Sequence, residues 1–119
     1  MNKTSFQNNM IKGIRKIQNV MGKTIILEYT KVGSSTKIRQ EFIGTFEKLS
    51  DDALKDQTTY NKDSVILKIL CIDLLNKLNT IKIKNLNSTI YMNNIKYNVI
   101  AEELSSDEVI LKLFLNTVS

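Results

Sequence analysis

Two stretches of alternating polarity set the fold class: KTIILEYTK at residues 23–31 and KIRQEFIGTFEK at residues 37–48. A repeat of two residues is typical of a β-strand with one buried face. The Gly-Ser-Ser sequence at residues 33–35 interrupts the pattern and favours a turn. We therefore predict two strands joined by a turn. Their predicted buried face carries Ile25, Leu27, Tyr29, Ile38, Phe42, Gly44 and Phe46.

Short strand-like segments continue through the second half of the chain. VILKILCID at residues 65–73 is apolar on both faces, which predicts a central strand. The pair Asn93-Asn94 favours a tight hairpin turn, and residues 73–79 are compatible with one helical turn. Further strands are predicted at residues 80–84, 89–92, 95–101 and 108–116. The pattern predicts a mostly β domain, a small sandwich or barrel of about six to seven strands with one N-terminal helix and a long polar loop.

The phases of these strands define a predicted core. We expect one cluster of buried side chains that draws on every long strand, because alternate residues of a strand point to the same side. Its predicted members are Ile25, Leu27, Phe42, Phe46, Leu67, Ile69, Cys71, Val99, Leu111 and Leu113.

A basic amphipathic helix is predicted at residues 4–21, before the first strand. An apolar stripe at helical spacing runs along it, and Gly22 is placed to close it in the left-handed conformation. The stripe consists of Phe6, Met10, Ile14, Ile17 and Met21. The charged residues of the first 23 positions are all basic: Lys3, Lys12, Arg15, Lys16 and Lys23. Since residues 24–119 hold equal numbers of acids and bases, the whole net charge of +5 lies on this segment.

Length and composition restrict the class of protein. A chain of 119 residues is expected to be one domain, here a helix at residues 1–22 followed by a β-barrel or sandwich at residues 23–119. No segment has the apolar length of a membrane span or the pattern of a secretory signal. We therefore expect no contact with a membrane.

The residues that most enzymes need are missing from the sequence. The chain has no histidine and one cysteine, which excludes Ser-His and Cys-His nucleophile pairs and the usual zinc sites. Its four glycines do not form a phosphate-binding loop. Cys71 is interpreted as a small core residue and Asp51-Asp52 as a solvated pair in the polar loop. Glu102 and Glu103 are adjacent at the end of a predicted strand and are expected to point to opposite faces. We expect no catalysis, no cofactor and no bound metal.

Residues 49–63, LSDDALKDQTTYNKD, form an unusually long polar segment between two predicted strands. Loops of this length in small domains are often functional. We predict that this one contacts a partner, with Leu54 and Tyr60 as anchors and the charges setting the register. The predicted contact residues are Lys48, Asp51, Asp52, Leu54, Lys55, Asp56, Tyr60 and Lys62.

The order of these elements resembles a known family. A basic helix precedes a strand and turn, and then Phe42-Ile43-Gly44-Thr45-Phe46 leads into the long loop. The segment at residues 87–91, the Asn93-Asn94 turn and the segment at residues 95–100 precede a last apolar strand. This order, from about residue 5 to residue 116, is similar to that of the head–tail joining proteins (head-completion proteins, or neck connectors) of long-tailed bacteriophages of the lambda type. The stretch at residues 76–86 looks longer than in that family.

The resemblance implies a structural virion protein of a phage or prophage. Such proteins form a homo-oligomeric ring in the virion neck, close the portal exit and offer a docking surface to the tail. They are assembled in the cytoplasm of the bacterial host. The implied partners are further copies of the chain, portal or adaptor proteins and tail proteins, and the strand edges of an open barrel would be available for pairing between neighbours.

Several alternatives stay open at the level of sequence. The chain could instead be a small β-barrel nucleic-acid-binding protein that uses its basic helix as an arm and Tyr60 or Tyr91 as a stacking platform. A third reading is an adaptor or regulator unrelated to phages. A nonspecific contact of the basic helix with packaged DNA is compatible with the phage reading. The sequence also leaves open whether the helix packs on its own barrel or on a neighbour.

Overall fold

In the part of the chain that the structure describes, six antiparallel strands form the body of the protein, with one α-helix before them and another between the third and fourth. The computed structural model describes residues 3–30, 33–48 and 64–118, with the side chains of residues 3–6 and 85 outside that description. The helices are α1 (Lys3–Met21), α2 (Cys71–Leu78) and a short 3₁₀ helix (Lys84–Leu86). The strands are β1 (Lys23–Thr30), β2 (Lys37–Lys48), β3 (Val65–Leu70), β4 (Thr89–Met92), β5 (Ile95–Leu104) and β6 (Ile110–Thr117).

The strands close into a barrel in the order β1-β2-β3-β6-β5-β4, and β4 pairs back onto β1. The predicted mostly β fold with an N-terminal helix is therefore confirmed, and of the two architectures the barrel is the one observed. Every strand of this barrel has a neighbour on both sides. The expectation of an open barrel with strand edges free to pair is wrong, because β4 bridges β5 and β1.

The core lies inside the barrel and contains the residues that the strand phases predicted. Eight of the ten predicted side chains are buried there, and the other two, Phe46 and Val99, are partly buried and pack against them. Leu67 faces Phe46 on one neighbouring strand and Leu113 on the other. The remaining members, which were not among those ten, are Tyr29, Leu74, Ile83, Ile90, Tyr97 and Leu115.

The central strand ends earlier than predicted. β3 stops at Leu70, and Cys71 begins α2 rather than continuing the strand. The backbone N–H of Cys71 donates to the carbonyl of Val109 at 2.8 Å, which anchors the start of α2 beside β6. The helix has two turns, buries Leu74 and ends at Asn79 in the left-handed conformation. Because residues 65–75 are almost continuously apolar, their pattern fits both a strand and a helix, and only the packing separates the two.

Residues 80–84 do not form the predicted strand. The segment instead places the buried Ile83 before the 3₁₀ helix. The Glu102 carboxylate accepts the backbone N–H groups of Ile83 at 3.0 Å and Lys84 at 3.1 Å. Glu102 thus satisfies two backbone N–H groups at the start of the 3₁₀ helix that are not paired with a strand. Glu102 therefore has a structural role as a hydrogen-bond acceptor.

The β4–β5 turn is as predicted, whereas the following strand is longer. Asn93 and Asn94 both have positive φ, 52° and 66°, as a tight two-residue hairpin turn requires. β5 continues beyond the predicted end to Leu104 after a register shift between Val99 and Ala101. A bulge shifts the alternation of inward and outward side chains by one residue. The second half of β5 therefore does not continue the two-residue repeat of the first half, and the sequence pattern did not predict it. The last strand begins at Ile110 rather than at residue 108.

Gly22 closes α1 for a reason other than the predicted one. Its N–H donates to the carbonyl of Gln18 at 2.9 Å, but among the four glycines only Gly33 has a positive φ. A Cβ on Gly22 would collide with the Gln18 carbonyl oxygen and lie 2.8 Å from Cγ2 of Ile43. The prediction of a left-handed cap is wrong, and the glycine is required by the close approach of α1 to β2.

Candidate interaction site on the helical face

Polar contacts hold α1 against its own barrel at several points along its length. The Arg15 guanidinium donates to both carboxylate oxygens of Asp73 on α2, at 2.6 and 2.8 Å. The buried Gln18 side chain donates to the carbonyl of Ile43 at 3.2 Å, and Gln7 donates to the carbonyl of Asp107 at 3.1 Å. The helix therefore packs in cis, which the sequence left open.

The face of α1 that meets the barrel differs from the predicted apolar stripe. The residues turned inward are Gln7, Met10, Ile11, Ile14, Arg15 and Gln18, of which Met10 and Ile14 belong to the predicted stripe. At about 100° per residue this face is rotated by roughly 70° from the stripe. As a result, Ile17, Val20 and Met21 are left 51%, 85% and 67% exposed. We call these three residues the apolar ridge; Ile17 and Met21 were predicted members of the stripe, and Val20 was not.

The basic residues of α1 separate into two groups. Arg15 is committed to Asp73, and their hydrogen bond raises the pKa of the guanidinium, so Arg15 remains charged while the pair is intact. Lys12, Lys16 and Lys23 are exposed, and Lys16 lies one helical turn before Val20 on the ridge. The Lys3 side chain lies outside the described residues. The predicted basic helix is thus basic on its outer face, next to the ridge.

A cleft of about 410 Å³ opens between α1 and α2. Its apolar lining consists of Ile11, Cys71, Ile72, Leu75, Ile81 and Val109, and its polar edge of Gln7, Asn8 and Glu108. Ile72 and Leu75 remain exposed although they lie on the lining. We call this cleft the apolar groove. Sequence reasoning missed the groove because it predicted only one helical turn, at residues 73–79, and assigned Cys71 and Ile72 to the preceding strand. The helical spacing of Cys71, Leu74, Leu75 and Leu78 was the available signal.

A smaller cleft of about 270 Å³ lies around the Arg15–Asp73 pair. Of its charged side chains, Arg15 and Asp73 pair with each other and Lys77 contacts β2. The Lys77 ammonium is 4.9 Å from the centre of the Phe42 ring and donates to the Glu41 carbonyl. These contacts join α2 to β2, so we interpret this cleft as part of the support for α1.

Cys71 lies in the lining of the apolar groove, yet its side chain is buried. Burial, reinforced by the nearby carboxylates of Asp107 and Glu108, raises the pKa of its thiol from 9.0 to about 11. We expect the native chain at pH 8 to react with iodoacetamide about a hundredfold more slowly than the denatured chain, because two pKa units reduce the thiolate fraction by about that factor. Mass spectrometry of timed samples measures both rates. Equal rates would contradict the predicted role of Cys71 as an inert core residue.

The predicted partner loop falls almost entirely outside the described residues. Lys48 is the last residue of β2, is exposed and pairs with Val65 at the start of β3. The other residues predicted for this contact lie outside the description: Asp51, Asp52, Leu54, Lys55, Asp56, Tyr60 and Lys62. The role of this loop stays a prediction. The pairing of Lys48 with Val65 shows that its two ends leave the barrel side by side.

The aromatic side chain considered for base stacking is already in contact with a neighbour. Tyr91 is partly buried, and the Arg39 guanidinium lies 5.1 Å from the centre of its ring. Arg39 also lies 3.6 Å from a carboxylate oxygen of Glu28. One face of Tyr91 is therefore occupied by a paired cation. The other candidate, Tyr60, lies outside the described residues.

Other classes of site receive no support from the described part of the chain. Within residues 3–30, 33–48 and 64–118, His, Cys, Asp and Glu do not cluster in groups of three or more that could hold a metal. Over the same ranges no helix has the length and apolar character needed to cross a membrane. No protein-family model matches the sequence, and no curated protein matches it either. Among the described residues, the apolar ridge and the apolar groove are therefore the two candidate interaction surfaces.

Proposed function

We propose that this chain is a structural virion protein that forms a ring at the head–tail junction of a long-tailed phage or prophage, closes the portal exit and provides the docking surface for the tail. The observation that carries the proposal is the apolar ridge, which α1 presents to solvent while its other face is bound to the barrel. An apolar helix surface left uncovered in a single subunit is a feature of proteins that function as assemblies. The order of elements along the chain supports the same reading.

The closed barrel limits the kinds of contact through which copies of the chain can associate. Each barrel strand has a neighbour on both sides over at least part of its length, which leaves only short stretches for strand addition. We therefore expect assembly to use mainly side-chain surfaces, and α1 supplies one that is preformed. Arg15, Gln18 and Gln7 hold the helix in place. Docking of another copy therefore costs little conformational entropy in α1.

The segment at residues 49–63 is the proposed contact with the tail or with the adjoining ring. Its ends are neighbours in the sheet, with Lys48 opposite Val65. A segment attached in this way can change length or sequence without altering the register of the barrel. In this proposal, α1 makes the contacts between copies within the ring, and residues 49–63 make the contacts with the next component.

Nucleic-acid binding is the alternative from a different class. Its support is the exposed Lys12, Lys16 and Lys23 on or next to α1. Arg15 and Tyr91, which this alternative would also use, are engaged with Asp73 and Arg39. Three exposed lysines favour a weak contact with phosphates that disappears as the salt concentration rises, rather than a sequence-reading surface.

Deletion of the gene from the phage or prophage that encodes the chain tests the proposal. We expect DNA-filled heads without tails and free tails in electron micrographs, with infectious titres reduced by orders of magnitude, and restoration of both by the wild-type chain. A variant with residues 51–61 replaced by a short Gly/Ser linker should keep its melting temperature but fail to restore titres. The matched control is Ser34→Gly together with Ser35→Gly in the β1–β2 turn, which should restore them.

Three results would count against this assignment or a part of it. A deletion strain with normal numbers of tailed, infectious particles would overturn the function. A linker variant that restores titres fully would remove the loop from the mechanism and leave only the ring-forming role. Tight DNA binding by the purified chain that persists at moderate salt would favour the nucleic-acid alternative instead.

A further inference from the structure

We propose that the apolar ridge of one copy of this chain docks into the apolar groove of a second copy, in a head-to-tail contact. This inference rests on the proposed function, from which it takes the ring. It adds which two surfaces of neighbouring copies meet in that ring. Neither surface is covered by the described part of its own chain. The segment that occupies the groove is α1 of the neighbouring copy.

The ridge has the spacing that recognition by a groove requires. Ile17, Val20 and Met21 stand at positions i, i+3 and i+4, so Val20 and Met21 lie one turn beyond Ile17, on either side of it, and the three side chains form one patch. An amphipathic helix that binds in an apolar groove uses anchors at these positions. Val20 is the most exposed large apolar side chain among the described residues.

The groove has the matching construction. One wall is the N-terminal half of α1 with Ile11, the other is α2 with Ile72 and Leu75, and Ile81 and Val109 also line it. Two helices with apolar residues along the gap between them make a groove of the kind in which a third helix docks. The exposure of Ile72 and Leu75 means that this occupant would cover apolar surface that now faces water.

Charge is complementary between the two surfaces. Lys12 and Lys16 lie on the solvent side of the helix that carries the ridge. At the β5–β6 corner the carboxylates of Asp107 and Glu108 lie beside Cys71 in the lining of the groove. A ridge flanked by lysines and a groove edged by carboxylates favour the same orientation of docking. Such pairs set the register and the rate of association more than the affinity.

The positions of the two surfaces make the contact head-to-tail. Gln7 lies at the groove and Val20 on the ridge, and they are separated along α1 by roughly 20 Å at 1.5 Å per residue. A contact that joins two different patches leaves one free ridge and one free groove on every pair. It therefore continues from copy to copy, and it produces a ring when the rotation closes.

Single substitutions of exposed side chains test both surfaces without disturbing the core. Val20→Glu places a carboxylate on the ridge, and Leu75→Glu places one in the groove, where the side chain is 46% exposed. The matched control is Ile95→Glu, on β5 outside both surfaces, at 44% exposure. Native mass spectrometry and sedimentation velocity over a concentration series measure self-association. We expect the wild-type chain and the control to assemble alike, and each of the other variants to associate at least about thirtyfold more weakly.

Mixing the two defective variants gives the most specific result. The Val20→Glu chain keeps an intact groove, and the Leu75→Glu chain keeps an intact ridge. One contact is therefore available in the mixture, and we expect a one-to-one heterodimer that does not grow further. Isotope labelling of one variant identifies the heterodimer by its mass. A contact made by the same patch on both copies would not produce this result.

The outcomes separate this inference from the proposed function. A wild-type chain that stays monomeric at millimolar concentration, variants that assemble like the control, or a mixture without a heterodimer would each overturn the docking of ridge into groove. Binding of the monomer to anionic lipid vesicles or to DNA, lost in Val20→Glu, would assign the ridge to that surface instead. If the heterodimer forms but the gene deletion leaves tailed particles unaffected, the contact stands and the neck function fails.

Discussion

Replacing Leu67 with alanine is expected to lower the free energy of unfolding by about 2–5 kcal/mol. Leu67 has 0% exposure and lies in β3 between Phe46 on β2 and Leu113 on β6. Truncation of its isobutyl side chain to a methyl group leaves a cavity where three strands meet, and the closed barrel limits the collapse that could fill it. Since domains of this size are stable by about 5–15 kcal/mol, the loss is a large share of the total.

Urea denaturation followed by circular dichroism measures this loss. Leu104→Ala is the matched control, because Leu104 lies at the end of β5 with 37% exposure and the same atoms are removed. We expect its midpoint to move by a small fraction of the shift seen for Leu67→Ala. Similar shifts for the two variants would show that the inward phase of β3, on which the core depends, is misassigned.

Replacing Gly44 with alanine is the second change with a large expected effect, a loss of about 1–3 kcal/mol through overpacking. A Cβ at this position would lie 2.5 Å from Cδ1 of Leu67 and 2.9 Å from the backbone carbonyl oxygen of Lys68. The Leu67 side chain can move aside, but the Lys68 carbonyl belongs to the strand that pairs directly with Gly44. Relief therefore requires a displacement of β2 from β3.

The same substitution at Gly13 is the control and should have the opposite sign. A Cβ there meets no atom within 4 Å, and Gly13 lies in the interior of α1, where alanine is favoured over glycine by about 1 kcal/mol. Thermal melts of the two variants should thus shift in opposite directions. The double variant Gly44→Ala, Leu67→Ala should lose less than the sum of its parts, because the truncated Leu67 makes room for the new methyl group. Full additivity would contradict the steric explanation.

Much of the fold could be read from the sequence because its information is local. The alternation in β1 and β2, the helical spacing before Gly22 and the two asparagines of the β4–β5 turn each specify a backbone conformation within a few residues. Burial of one face of each strand follows from the same alternation. The inward positions of Leu67 and Leu111 were predicted on this basis, and both side chains are buried.

Other features depended on contacts between distant parts of the chain. The boundary between β3 and α2 falls in an apolar run that fits either conformation, and the hydrogen bond from Cys71 to Val109 places it. Closure of the barrel depends on the pairing of β4 with β1, which lie far apart in the sequence. The helical spacing of Cys71, Leu74, Leu75 and Leu78 indicates a helix but does not show where the strand before it ends. The pairing of β4 with β1 leaves no periodic mark in either strand.

The candidate site belongs to this second kind. The amphipathic pattern of α1 predicted a helix that would bury its apolar stripe, but hydrophobicity does not specify which side of a helix meets a particular surface. The partners of Arg15, Gln18 and Gln7 are Asp73 and the carbonyls of Ile43 and Asp107, which come together only when the barrel is closed. Because burying these polar groups without their hydrogen bonds would be costly, they orient the helix, and its apolar ridge is left facing outward.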